Sequence, residues 1–138
     1  MTPTLLGRWQ TRLLLMIVFG VPISLLFGVL YRDLRTPLVL LGYVIVFGLG
    51  WDVLYNMLQG FRWDQDWPPA FQLAAGVWEV LFVWLLVATI GLPGVTSALG
   101  FGQFLLHYST VWFVIFVASQ SLLRLMLPRW RFRGGQWL

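Results

Sequence analysis

Five acids and one histidine carry most of the chemistry available to this chain. Asp64 and Asp66 lie in the stretch RWDQDWPP, residues 62–69, where Asp-x-Asp spacing suits a divalent cation beside lipid headgroups. Such a site is what a membrane enzyme acting on lipid-linked substrates needs. Oxygen-ligand metal sites normally take more carboxylates or substrate phosphates, and no nucleophile or base stands beside the pair. Arg62 is close enough in sequence to neutralise either acid, Asp66 is placed to cap a following helix, and Trp67 suits the headgroup layer. An anchored interfacial turn is therefore the more economical reading.

Asp52, Glu79 and His107 fall inside apolar runs. Acids at that depth are costly and suggest a proton or ion relay, while a neutral imidazole is a possible ligand for haem iron or a chlorophyll magnesium. One histidine is a weak signal, so a packed core or interfacial histidine is the simpler expectation and no cofactor is expected. The absence of cysteine excludes disulfides, thiolate metal sites and cysteine nucleophiles.

These residues need elements to hold them, and composition says which. Of 138 residues 59% are hydrophobic and 10% charged, against about 25% charged in soluble domains, and mean hydropathy is +0.82. The apolar residues come in runs near the length that crosses a hydrocarbon core about 30 Å thick. The expected fold is all-α: one transmembrane domain over residues 1–138, with spans at about 13–31, 38–59, 69–90 and 101–127. Connections are short, so neighbouring spans should form an antiparallel bundle. The run after the basic N-terminal stretch is too long for a signal peptide's apolar region.

All nine basic residues are arginine. With the N-terminus cytoplasmic, that side holds Arg8, Arg12, Arg62, Arg124, Arg129, Arg131 and Arg133, and the far side only Arg32 and Arg35. The positive-inside rule then places both termini in the cytoplasm. Arginines flanking spans suit anionic lipid headgroups rather than nucleic acid. In the tail, residues 128–138, Arg129, Arg131 and Arg133 alternate with aromatic residues including Trp130, a pattern for an extended segment on the cytoplasmic leaflet. A partner-docking tail is the alternative.

Helical spacing predicts polar faces inside the membrane. Asp52, Tyr55, Asn56 and Gln59 share one face of the second span; Gln72, Gly76 and Glu79 share one face of the third. At about 1.5 Å per residue Asp52 lies roughly 10 Å deep, Glu79 roughly 14 Å and His107 roughly 30 Å, too far for one metal site. Arg124, on the fourth span, is the expected cation for Asp52, with Glu79 either hydrogen-bonded to Gln72, Asn56 or Tyr55 or sharing that arginine. Such a cluster reads first as a clasp between helices, at about 0.6 kcal/mol per hydrogen bond, and second as a relay. Gly20, Ser24 and Gly28 recur every four residues on the first span, a small-residue ridge for close helix approach inside the bundle or against another subunit. Pro22 should bend that helix.

Function follows only in outline: a noncatalytic accessory subunit or assembly factor of a larger membrane complex comes first. An oligomeric channel or proton-coupled carrier using Asp52 and Glu79 is the alternative, with a lipid-acting enzyme and a pigment or haem subunit behind it. Because the native chain lacks cysteine, topology is directly readable. A Thr2→Cys variant is expected to react with an impermeant maleimide from the cytoplasmic side only, and Ser97→Cys from the opposite side only; labelling of both from one side removes the assigned orientation.

Overall fold

The computed structural model describes residues 4–64, 68–95 and 100–126, with every side chain in them but that of Arg124. Among these residues all regular elements are helical: α1 Leu5–Leu30, α2 Arg35–Gly60, α3 Pro69–Thr89, α4 Phe101–Gln120 and the short α5 Leu122–Met126. The first four are each long and apolar enough to cross a membrane. They mark an integral membrane protein.

The first helix begins about two turns before the expected Leu13. Thr4 is extended and its Oγ1 accepts the Gly7 amide at 3.1 Å, which satisfies one of the amides a helix start leaves open. Arg8 and Arg12 thereby fall within the helix, not ahead of it, and both are drawn into the bundle. Pro22 has no N–H to offer Val18, and just before it Met16–Gly20 forms a π turn, whose extra residue per turn accommodates the interrupted hydrogen-bond ladder. The helix then continues from Val21 to Leu30.

Arg32 closes α1 with φ 56°, and the Asp33 amide bonds back to the Gly28 carbonyl at 2.9 Å. Asp33 also opens α2. Its Oδ1 accepts the amides of Arg35 and Thr36 at 3.1 and 3.3 Å, and its Oδ2 accepts the Thr36 hydroxyl. That hydroxyl above all, followed by the two amides, holds the Asp33 carboxyl below its ordinary range. At the end of α3, Gly91 takes φ 71° and donates to Leu86, the left-handed position that glycine reaches without strain. Pro69 occupies the first position of α3, where its missing N–H costs least. After α4 the backbone breaks at Ser121 (φ −126°, ψ −70°) before α5, so the fourth long helix ends at Gln120 instead of continuing to 127.

The solvent pattern of a soluble protein is inverted. Leu26, Val29, Val46, Phe113 and Leu125 are exposed, whereas Arg8, Ser24, Thr36, Asp52, Gln59, Glu79 and His107 are buried. Lipid cannot satisfy polar side chains, so they turn to one another. Between them lies an apolar core of Met16, Leu40, Leu41, Val44, Val83, Phe104 and Val111, with Tyr108. Trp51, Trp78 and Phe82 meet edge to face at 5.1 to 5.5 Å, which is helix packing between α2 and α3.

The small residues of α1 face inward. Gly20 packs on Leu41, Gly28 on the Asp33–Leu34 backbone, and Ser24 is enclosed. Gly76 of α3 lies against the Trp112 indole, where a β-carbon has no room, and its carbonyl accepts the Tyr108 hydroxyl at 3.2 Å. Gly76→Ala is expected to cost about 1–3 kcal/mol through overpacking, measured by reversible unfolding in mixed micelles. The same change in a Trp112→Ala background is expected to cost much less, and an equal cost in both backgrounds overturns the assignment of the clash.

Candidate functional site: a buried ion cluster and an intramembrane cavity

The polar faces of α1, α2 and α3 meet on Arg12. Its Nε donates to Asp52 Oδ2 and its Nη2 to Asp52 Oδ1, both at 2.9 Å. The same Nη2 reaches Glu79 Oε1 at 3.0 Å and Nη1 reaches Glu79 Oε2 at 3.1 Å. One planar guanidinium therefore holds two carboxylates in paired hydrogen bonds, the geometry for which arginine is suited and lysine is not. Tyr55 adds a hydroxyl donated to Glu79 Oε1 at 3.1 Å. All four carboxylate oxygens have a donor.

Local sequence explains each position. Arg8 and Arg12 are one turn apart on α1, and Gln59 and Asp52 are two turns apart on α2, so the helices meet in register: Arg8 Nη2 donates to Gln59 Oε1 at 2.6 Å beside the Arg12–Asp52 pair. Gly48, one turn before Asp52, has no β-carbon, and the Arg12 guanidinium lies directly over it. Any larger residue there must displace the cation. The Trp9 indole donates to the Leu49 carbonyl at 3.0 Å, a further tie between α1 and α2.

Arg124 was the expected cation for Asp52; the cation that holds Asp52 is Arg12, and the Arg124 side chain lies outside the described residues. Physical depth explains the difference. Once α1 starts at Leu5, Arg12 is already two turns into the helix and level with Asp52, while its charge needs a partner as much as the acids do. The arginine that Glu79 shares with Asp52 is Arg12, not the expected Arg124, and Glu79 also accepts the Tyr55 hydroxyl. Gln72 is half-buried on the wall of the adjoining cavity. Asn56 is half-buried and, among the described residues, makes no hydrogen bond to the cluster.

Of the interfacial turn, Arg62 and Asp64 are described: the guanidinium donates twice to the carboxylate at 3.1 Å, and stacks over Phe71 at 4.7 Å. Asp64 thus has a structural partner. Asp66 and Trp67 lie outside the described residues, as do Arg129, Trp130, Arg131 and Arg133 of the tail. No group of three or more histidine, cysteine or acidic side chains able to hold a metal occurs among the described residues.

His107 is buried on α4, 4% exposed, and its Nε2 lies 2.9 Å from Ser24 Oγ on α1. Phe27 packs edge-on to the imidazole at 5.3 Å. Ser24 is 0% exposed, and His107 is the partner its hydroxyl has among the described residues. If that hydroxyl accepted, its own hydrogen would be buried unbonded, at about 1–3 kcal/mol. Ser24 is wholly enclosed whereas His107 Nδ1 is not, so the cheaper arrangement has the hydroxyl donating to Nε2, and the ring proton is assigned to Nδ1. A haem or chlorophyll held through Nε2 has to displace Ser24 first.

A cavity of about 440 Å³ joins these two features. Arg12, Asp52 and Glu79 lie on its wall, His107 and Tyr108 lie on it too, and Met16, Leu40, Val44 and Val111 supply apolar surface. The acids and the histidine, separate in depth, thus share a space without bonding each other. Comparison with family models, with curated proteins and with solved structures finds no match for the chain.

Arg12→Leu leaves two carboxylates buried together, and is expected to lower stability by about 3–5 kcal/mol. Replacing all three residues, Arg12→Leu with Asp52→Leu and Glu79→Leu, is expected to recover most of that loss. Thermal unfolding of both variants in lipid nanodiscs checks the pair, and equal destabilisation overturns the assignment of a closed ion cluster.

Proposed function

We propose that this chain is a noncatalytic accessory subunit or assembly factor of a larger membrane complex, with four spans in an antiparallel bundle and both termini cytoplasmic. The observation that carries this reading is the closed state of the ion cluster. Asp52 and Glu79, the acids at depth, spend every oxygen on Arg12 and Tyr55. Groups so engaged hold helices together and are poorly placed to accept a substrate's proton. The Arg62–Asp64 pair likewise engages an acid that a headgroup metal would require. The basic aromatic tail then binds anionic headgroups, or docks on a neighbouring subunit.

A second reading, an oligomeric channel or proton-coupled carrier, draws on the cavity that places His107 in the same space as Glu79. It requires Arg12 to release a carboxylate during each cycle. The two readings part on purification from native membranes with partners retained. The expected result is a stoichiometric complex with other membrane proteins; a homo-oligomer alone, with proton flux in liposomes lost in Glu79→Gln, replaces the first reading with the second.

A further inference from the structure

The Nδ1 proton of His107 has no acceptor among the described residues, although the side chain is buried and lies on the cavity wall. Nδ1 is not fully enclosed, and a donor on a largely apolar wall favours a ligand that carries an acceptor. The cavity that His107 lines has the size of a small-molecule site, about 440 Å³ against roughly 300–1,000 Å³ for such pockets. Its walls between the polar groups are aliphatic and aromatic. Its charges sum to zero, because Arg8 and Arg12 line it with Asp52 and Glu79.

We propose that this cavity binds an uncharged lipophilic molecule bearing a carbonyl oxygen, which accepts the hydrogen bond from Nδ1 of His107 while its apolar body lies against Met16, Leu40, Val44 and Val111. A charged headgroup would unbalance a set of two arginines and two carboxylates and would be desolvated in doing so, which disfavours it. A pure hydrocarbon leaves the histidine donor unpaired. A carbonyl lipophile, ketone or quinone in kind, answers both constraints. Ser24 positions the donor: by holding Nε2 it keeps the proton on the nitrogen that needs the ligand.

Benzophenone tests the site on the full chain in lipid nanodiscs. It is an uncharged diaryl ketone, and on irradiation it inserts into a neighbouring C–H bond, the hydrogen passing to oxygen and carbon bonding to carbon, so the adduct carries its whole mass. Peptide mapping is expected to place adducts on cavity residues such as Met16 and Val111. Fluorenone, a competing ketone, is expected to suppress them, and diphenylmethane, the same shape without the carbonyl, to do so more weakly. His107→Phe is expected to reduce cavity labelling roughly three- to tenfold, the worth of one hydrogen bond. His107→Asn, whose amide N–H replaces the Nδ1 donor, is expected to retain more of it.

Adducts confined to outward-facing residues such as Leu26 and Val29 overturn the proposal, as does equal competition by diphenylmethane. Should His107→Phe fail to fold, competition on the native chain still decides. Loss of this proposal leaves the accessory-subunit reading in place, because co-purification does not depend on what fills the cavity.

Discussion

A single guanidinium closed on two carboxylates sets the geometry of this protein. Arg12 must find countercharge because lipid offers none, and Asp52 and Glu79 must find a cation for the same reason. The cheapest solution is to bring α1, α2 and α3 together at one level. Much nearby sequence then follows as a requirement. Gly48 is needed where the guanidinium lies on α2, Tyr55 shares Glu79, and Arg8 repeats the α1–α2 contact one turn away with a neutral partner, Gln59.

Such a cluster contributes more to uniqueness than to net stability. Desolvating three charges consumes most of what their attraction returns, so a hydrophobic replacement of the whole set can be as stable. What the ions add is intolerance of alternatives. Rotating α2 by one residue turns Asp52 toward lipid, and sliding it by a turn separates Arg8 from Gln59. Between apolar helices in lipid, where little else distinguishes one packed arrangement from another, this penalty on wrong registers is a reason for keeping Arg8, Arg12, Asp52, Tyr55, Gln59 and Glu79 at depth.

The four long helices were legible in the sequence because apolar runs of that length have few other uses. The polar faces of α2 and α3 were legible too, since helical spacing places Asp52, Tyr55 and Gln59 together. The cation was not. Basic residues before an apolar run read as flanking charges under the positive-inside rule, which assigned Arg8 and Arg12 to the cytoplasm. Yet a signal was present: the small-residue ridge Gly20, Ser24 and Gly28, continued backward at the same four-residue spacing, passes through Met16 to Arg12 and Arg8. One inward stripe of α1 contains all six. Reading Thr4 as the cap, and hence α1 as a longer helix, would have exposed it.

That stripe also borders the cavity. At one level the long Arg12 side chain runs from α1 over Gly48 to Asp52 and Glu79. Farther along α1 approaches its neighbours through Gly20 and Ser24, which allow close contact with Leu41 and His107. Between these two levels the cavity lies against Leu15, Met16, Leu40 and Leu41. Met16, at the middle of the stripe and within the π turn, lies on its wall without filling it. The polar residues that specify the bundle therefore also line a chamber with a hydrophobic wall, a closed ion cluster and an imidazole N–H. Filling such a chamber would have required only larger apolar residues at positions such as Val44 and Val111, where the core already accepts Leu40 and Phe104.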